Sequence, residues 1–193
     1  TEQAAIILPA QDTDVRFNKT FWLSKKPEKK GSRAYFSAFP RICTVCEVYV
    51  KHLDCMVRVF NTHFDHVCSP ARLLSVRIIL DYMHRLNQRC QMPTILMGDM
   101  NAKPDSKPIQ ILSQNLHGYP DIHLTNIYDR IDPEKIQNTY HGFKGRQKQK
   151  PIDYIFVSDD FEITDCLIDK TEQDGRYPSD HFPLIATLQL KNR

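Results

Sequence analysis

The segment Pro93-Thr94-Ile95-Leu96-Met97-Gly98-Asp99-Met100-Asn101 decides the fold class of this chain. Its apolar run, residues 93–97, ends at a glycine, which is typical of a short central strand that is covered on both faces. The clearest helix signal of the chain lies upstream of this strand.

That helix is predicted directly upstream. Ser69 can accept hydrogen bonds from the first-turn amides, and Pro70 stands at the first helical position, where its missing N–H does no harm. Apolar residues then recur at helical spacing: Leu73, Val76, Leu80 and Met83. A second, shorter helix is predicted near residues 106–112.

Further strands are predicted on both sides of this unit. They are indicated by alternating or continuous apolar residues at 41–50, 55–61, 152–157, 161–168 and 184–190, with a hairpin loop at 51–54. Many strands with a few helices packed outside them indicate a layered α/β sandwich.

Length and composition fit one domain, residues 1–193. Hydrophobic residues make up 41% of the chain and charged residues 25%, which is enough apolar material for a real core. No apolar run approaches the ~20 residues of a transmembrane helix. The net charge of +3 does not demand nucleic acid as a partner, but it is compatible with a phosphorylated one.

The chain has six cysteines, which we interpret as buried free thiols. Cys43 and Cys46 form a C-x-x-C, but within a strand an offset of three places the two side chains on opposite faces. Free thiols are typical of a reducing compartment, which favours an intracellular location.

Polar residues with catalytic potential stand where predicted strands begin or end. They occur in Asn61-Thr62-His63-Phe64-Asp65-His66, in Asp99-Met100-Asn101, at Asp153 and in Asp180-His181. Strand ends are the usual place for the active site of an α/β protein, so we expect these side chains to converge.

Asp99 and Asn101 have two interpretations. By themselves they fit a simple Asx turn after a strand. Their spacing also suits chemistry, because an aspartate can orient or deprotonate a water molecule while an amide two residues on holds a phosphate oxygen.

Asp153 is harder to explain without a partner. It stands between Ile152 and Tyr154 in an apolar strand, where an unpaired carboxylate is strongly unfavourable. The imidazole of His181 is a natural donor. We hypothesise that Asp153 fixes the tautomer of His181 and stabilises its charged form, which leaves the other ring nitrogen for water or phosphate.

The remaining polar residues each fit either a structural or a functional role. Asp180 fits a surface turn, or it faces a cation. His63 fits a strand-end histidine, and Asp65 and His66 are interpreted as accessory or solvated. The lysine-rich segment 144–150 is interpreted as a solvated surface, with attraction to nucleic acid as the alternative.

Taken together, these segments resemble the endonuclease/exonuclease/phosphatase superfamily, which has the deoxyribonuclease-I-like fold. The resemblance is carried, in order, by Asn-Thr-His-Phe-Asp-His at 61–66, Gly-Asp-Met-Asn-Ala-Lys-Pro-Asp-Ser at 98–106, Ile-Asp-Tyr-Ile-Phe-Val-Ser at 152–158 and Tyr-Pro-Ser-Asp-His-Phe-Pro at 177–183. It extends over roughly residues 20–190. It implies a four-layered α/β/β/α sandwich with the site at one edge of two sheets.

The resemblance also implies roles for the catalytic residues. Asp99 orients or activates the attacking water, and Asn101 binds the scissile phosphate. His181, held by Asp153, contacts the phosphate or assists proton transfer. His63 stabilises the phosphoryl charge or helps the leaving oxygen. His63, Asn101 and His181 are thus the expected phosphate-binding residues.

The metal site implied by the resemblance contains Asp180 and Asp99. The expected ion is Mg²⁺, with Mn²⁺ as an alternative, because a hard cation with carboxylate and water ligands suits phosphate oxygens. The expected substrate is a phosphate ester of a nucleic acid, a nucleotide or a phospholipid headgroup.

The sequence departs from the family pattern at its beginning. Family members open with a strand, a helix and a strand that ends in a Gln-Glu pair, whose glutamate is the principal metal ligand, and no segment here matches. Residues 4–9 look like the strand that follows those elements. We therefore expect an N-terminally incomplete domain, either a fragment or a short natural product, with self-association through an exposed sheet edge.

Two functions remain open at this stage. The first is a Mg²⁺-dependent phosphodiesterase or phosphomonoesterase that is impaired by the absence of that glutamate. The second is a relative without turnover that serves as a binding or scaffold domain.

Overall fold

The computed structural model describes residues 3–116, 118–145 and 149–191. Within these ranges the strands are β1 (Thr13–Trp22), β2 (Ile42–Val50), β3 (Cys55–His63), β4 (Thr94–Asp99), β5 (Leu124–Asn126), β6 (Asp153–Ser158), β7 (Phe161–Ile168) and β8 (Leu184–Leu190), and the α-helices are α1 (Ser69–Asn87) and α2 (Lys107–Ser113). Three short 3₁₀ helices lie at Lys51–Leu53, Ile127–Arg130 and Pro133–Lys135. Apart from the strand expected at residues 4–9, the predicted strands and both predicted helices are present, within a few residues of their expected bounds.

The six strands β1 to β6 form one mixed sheet in the order β1-β2-β3-β4-β6-β5. Only β3 and β4 pair in parallel, and α1 makes the crossover between them; the neighbouring pairs are antiparallel. A parallel pair needs such a long connection because the chain must return to the same end of the sheet. The predicted strand–helix–strand unit is confirmed as the centre of the fold.

The two helices cover one face of this sheet. Val76, Leu80 and Met83 of α1 are buried, and Leu73 packs against them from the edge, so the predicted apolar stripe faces the core. The core between helices and sheet also contains Phe21, Cys43, Val45, Phe60, Leu96, Ile109, Leu112 and Phe156.

The opposite face of the large sheet is covered in part by a second sheet, the antiparallel pair β7 and β8. Its contact surface combines Val57, Val59, Ile95, Ile155, Val157, Phe161, Ile163, Leu188 and Leu190. The mixed α/β class and the deoxyribonuclease-I-like architecture are confirmed. Of the four predicted layers, the helix layer, the large sheet and the second sheet are found among the described residues.

Two details differ from the expectations. Residues 4–9 have no regular secondary structure, so the predicted strand there is wrong, although the carbonyl oxygen of Ala5 accepts a hydrogen bond of 2.7 Å from the Asn61 side chain. β1 was not predicted. Its pairing with β2 shifts register between Val15 and Phe17, and such an irregularity hides the alternation by which a strand is recognised in a sequence.

The six cysteines are free, and Cys43 and Cys46 are buried, but Cys90 is exposed and the other three are partly buried, so the expectation that all six are buried is wrong. Among the described residues, no helix has the length and apolar character that crossing a membrane requires. β1 and β5 are the outer strands of the large sheet. Self-association through an exposed edge stays a prediction.

Arg58 on β3 links the end of α1 to the large sheet through hydrogen bonds. Its side chain is 1% exposed, and its guanidinium donates to the carboxylate of Glu47 on β2 at 2.9 Å, to the Asn87 side chain at the end of α1 at 2.7 Å and to the Cys90 carbonyl at 2.9 Å. A buried cation is tolerated here because its donors have partners.

Replacing Arg58 by alanine should therefore destabilise the fold by about 3–5 kcal/mol, since the Glu47 carboxylate would lose its buried counter-ion. The measurement is the free energy of unfolding in urea, followed by circular dichroism. Arg16→Ala is the matched control, because Arg16 is 60% exposed and pairs with Asp14 at the surface, where such pairs contribute about 1 kcal/mol or less. Equal losses for the two variants would contradict the anchoring role.

Candidate active site

Three polar residues are brought together by the register of three adjacent strands. Asp99 of β4 stands directly opposite His63 of β3 and opposite Asp153 of β6. Residues that are opposite one another in a sheet project from the same face. That face also carries Ile95 and Ile155, which pack against the second sheet, so the site lies at the end of the space between the sheets.

Gly98 allows β3 and β4 to approach closely beside the site. Its φ is +139°, and a Cβ atom there would lie 1.9 Å from the carbonyl oxygen of Thr62. No side chain fits such a position without a shift of the backbone. The glycine that ends the apolar run in the sequence therefore helps to hold Asp99 beside His63.

The Asp99 carboxylate lies beside a backbone amide donor and two imidazole rings. Its Oδ1 accepts a hydrogen bond of 2.8 Å from the backbone N–H of Asn101, which is the Asx turn anticipated from the sequence. Its Oδ2 lies 3.4 Å from Nε2 of His63 and 4.0 Å from Nε2 of His181. The Asn101 amide group is itself held by the Phe64 carbonyl at 3.0 Å.

The environment of Asp99 raises the pKa of its carboxyl group to about 6. Burial is the largest cause, and the negative charge of Asp153 adds to it, while the Asn101 amide and the charge of His181 act in the opposite direction. A carboxyl group whose pKa lies near the working pH is suited to accept and release a proton.

The Asp153 carboxylate binds His181, the pairing that the sequence predicts. Nδ1 of His181 lies 2.8 Å from Oδ2 of Asp153, so Nδ1–H donates and Nε2 faces Asp99. This hydrogen bond is the main cause that raises the pKa of His181, although burial opposes it. The ring of Tyr140 packs edge-on against the imidazole with the ring centroids 5.1 Å apart.

Asp99, Asp153 and His181 could hold a metal ion, because ligand atoms from all three lie within 4.8 Å of one another. Two carboxylates fit a hard cation that keeps several of its waters. Among the described residues this group does not include Asp180, whose backbone carbonyl accepts from the amides of His141 and Gly142. The metal role of Asp180 stays a prediction.

Of the two alternatives for Asp65, accessory or solvated, the solvated one is wrong, because Asp65 is 1% exposed. Its carboxylate accepts from the backbone amides of Ala38, Val67 and Cys68 at 2.7–3.0 Å. Burial alone would raise the pKa of Asp65, but these hydrogen bonds hold it below its usual value. Asp65 thereby ties the loop before β2 to the start of α1.

Sequence reasoning missed Arg41, which directly precedes β2 and is 5% exposed. Its guanidinium lies 3.1 Å from Nδ1 of His66 and 3.9 Å from the Asp65 carboxylate, and its charge acts to lower the pKa of Asp99. The sequence signal that could have indicated Arg41 is its position directly before an apolar strand. In the predicted basic segment 144–150, residues 146–148 lie outside the described residues.

The fold and this site define a class: deoxyribonuclease-I-like α/β sandwiches with aspartate, asparagine and histidine gathered at the strand ends. Residues 13–181 match the sequence model of the Endonuclease/Exonuclease/phosphatase family. The chain belongs to this family. A comparison with curated proteins gave no match.

Solved structures agree with this assignment. An endonuclease/exonuclease/phosphatase from Bacteroides vulgatus is 25% identical with a TM-score of 0.80, and the match covers 94% of this chain and 67% of that one. A mannosyl-6-phosphatase from Bacteroides thetaiotaomicron is 26% identical with a TM-score of 0.76, over 93% and 68% of the two chains. The human Nocturnin catalytic domain, at 15% identity, TM-score 0.70 and coverage of 94% and 61%, shares the fold.

Asp153→Asn should lower the pKa values of both His181 and Asp99. The amide cannot supply the negative charge that now favours the protonated forms of both groups. The measurement is an NMR titration of the imidazole and carboxyl signals in metal-free protein. Asp165→Asn, an exposed aspartate on β7, should leave both values unchanged. Unchanged values in Asp153→Asn would contradict this electrostatic account.

Proposed function

We propose that this chain is a metal-dependent phosphoester hydrolase, with Mg²⁺ as the expected ion and Mn²⁺ as an alternative. The observation that carries the proposal is the position of the Asp99 carboxylate between Nε2 of His63 and Nε2 of His181, at 3.4 and 4.0 Å. Membership of a family whose relatives include a phosphatase supports it.

In the proposed reaction, a water oxygen attacks phosphorus and the bond from phosphorus to the ester oxygen breaks. Asp99 orients the water and accepts its proton, for which a pKa of about 6 is suitable. The Asn101 amide group, which donates to the Phe64 carbonyl and to the Asp99 carboxylate, exchanges one of these hydrogen bonds for a phosphate oxygen. The proton required by the leaving oxygen comes from an imidazole.

Both His181 and His63 act on the phosphoryl group. His181 contacts the phosphate through Nε2 or transfers the proton, and its raised pKa favours the charged form that this requires. Asp153 fixes the tautomer of His181 by accepting from Nδ1. His63 stabilises the charge on the phosphoryl group or assists the leaving oxygen.

Asp99 and Asp153 are the residues whose carboxylates would hold the cation, with Asp180 as a further candidate. When bound, the ion supplies positive charge that stabilises the transferring phosphoryl group. Carboxylate oxygens are the ligands that Mg²⁺ prefers in proteins.

The substrate is a phosphate monoester or diester. A mannosyl-6-phosphatase among the relatives supports the inclusion of phosphorylated sugars beside nucleic acids, nucleotides and phospholipid headgroups. Specificity within this fold depends on the site and its loops, so the panel of substrates must be broad.

Hydrolysis with and without Mg²⁺ tests the proposal directly. Asp99→Asn and His181→Asn should each lower kcat by about 10²–10⁴-fold, because each removes a proton-transfer group. Asp105→Asn is the matched control, since Asp105 forms a surface pair with Lys150. Phosphate release that is indifferent to both site substitutions, or to chelation of the metal, would remove the assignment.

The second candidate is a binding or scaffold domain without turnover. It is favoured by the candidate ligand group of the described residues, because that group lacks the glutamate that the family resemblance implies as principal metal ligand. Thermal unfolding over a Mg²⁺ titration separates the two functions. A catalytic metal site predicts a rise in Tm that follows the metal concentration and is lost in Asp99→Asn. No shift at millimolar metal favours the scaffold.

A further inference from the structure

Thr139 binds the backbone on one side of the Asp153–His181 pair. It is fully buried, and its hydroxyl accepts hydrogen bonds from the backbone N–H groups of Ile152, at 3.1 Å, and Asp153, at 3.2 Å. Asp153 is the first residue of β6, and Ile152 directly precedes it. The same threonine therefore holds the strand end from which the Asp153 carboxylate projects.

The backbone around Thr139 binds the other side of the pair. The Thr139 carbonyl accepts from the N–H of Phe182 at 2.7 Å, and Tyr140 forms an antiparallel bridge with His181. The amides of His141 and Gly142 donate to the carbonyl of Asp180 at 2.9 and 3.1 Å. Residues 139–142, which we name the clamp segment, thus contact both halves of the pair.

The clamp segment lies beside the first residues of β6, where β5 no longer pairs with that strand. β5 pairs with β6 from Leu124 opposite Ser158 to Asn126 opposite Phe156, and its pairing ends there. The first residues of β6 therefore have β4 on one side and no strand partner from β5 on the other. The N–H groups of Ile152 and Asp153 are partly buried and need an acceptor, and the Thr139 hydroxyl serves both of them.

We propose that Thr139 is a positioning residue, which sets the separation of the Asp153 carboxylate and the His181 imidazole by binding the backbone on both sides of them. Its effect on turnover rests on the proposed function, whereas its effect on the Asp153–His181 hydrogen bond does not. Groups that orient a functional histidine and its carboxylate matter because small displacements weaken the hydrogen bond between them.

The decisive substitution is Thr139→Val. Valine has nearly the shape of threonine but lacks the hydroxyl, so the amides of Ile152 and Asp153 lose their acceptor while the core stays filled. Thr139→Ser restores the hydroxyl and is the rescue variant. Thr94→Val is the matched control, because Thr94 is also buried and hydrogen bonded, to the Met92 carbonyl at 2.9 Å, but it lies at the opposite end of β4.

The first measurement is the NMR resonance of the Nδ1-bound proton of His181 in metal-free protein without substrate, assigned by its loss in His181→Asn. The hydrogen bond to Asp153 slows exchange of this proton with water. Thr139→Val should broaden the signal or abolish it, and Thr139→Ser and Thr94→Val should keep it. This readout needs no catalysis, so it stands even if no hydrolysis is found.

The second measurement is steady-state kinetics on a substrate that the wild-type protein hydrolyses. Thr139→Val should lower kcat by about 10–100-fold with little change in KM, as for other residues that orient a functional group through a neighbour. Thr139→Ser and Thr94→Val should stay close to wild type.

Amide hydrogen exchange keeps the proposal testable if Thr139→Val does not fold. In the wild-type protein the amides of Ile152 and Asp153 should be protected, and in Thr139→Ser they should remain so. Unprotected amides in the wild type would overturn the proposal. So would a His181 proton signal that survives in Thr139→Val, or that is lost equally in Thr94→Val.

Discussion

The site depends on one constraint, the register of three neighbouring strands of the large sheet. This register places Asp99 of β4 opposite His63 of β3 on one side and opposite Asp153 of β6 on the other. Three side chains from distant parts of the sequence share a face because their strands are in register. Gly98 makes the close approach of β3 and β4 feasible, since any Cβ there would collide with the Thr62 carbonyl. A shift by one residue would turn Asp99 to the helical side.

This register places two carboxylates close together in a partly buried space, which is unfavourable unless positive charge or protons compensate. The compensation comes from histidines and hydrogen bonds. His181 pairs with Asp153, and the Asp99 carboxyl group has its pKa raised to about 6 by burial and by the neighbouring charge. Ionisable groups that are held close together and have shifted pKa values are typical of a functional site.

The rest of the fold supports this strand end from both sides. Arg58 fixes α1 behind the sheet, and β7 and β8 pack on the face from which the site projects. Asp65 and Arg41 hold the loops beside His63, and the clamp segment holds the start of β6. The relatives share this scaffold at about a quarter sequence identity.

The sequence by itself determined the α/β class, the strand–helix–strand unit around α1, the family and the partnership of Asp153 with His181. These features depend on local periodicity, on short motifs and on the cost of an unpaired carboxylate in an apolar strand. Tertiary structure alone decided that β1 pairs through an irregular register, that residues 4–9 form no strand, that Asp65 and Arg41 are buried, and that Thr139 binds both sides of the site. Those features depend on contacts between residues far apart in the chain, and such contacts leave no periodic signal in the sequence.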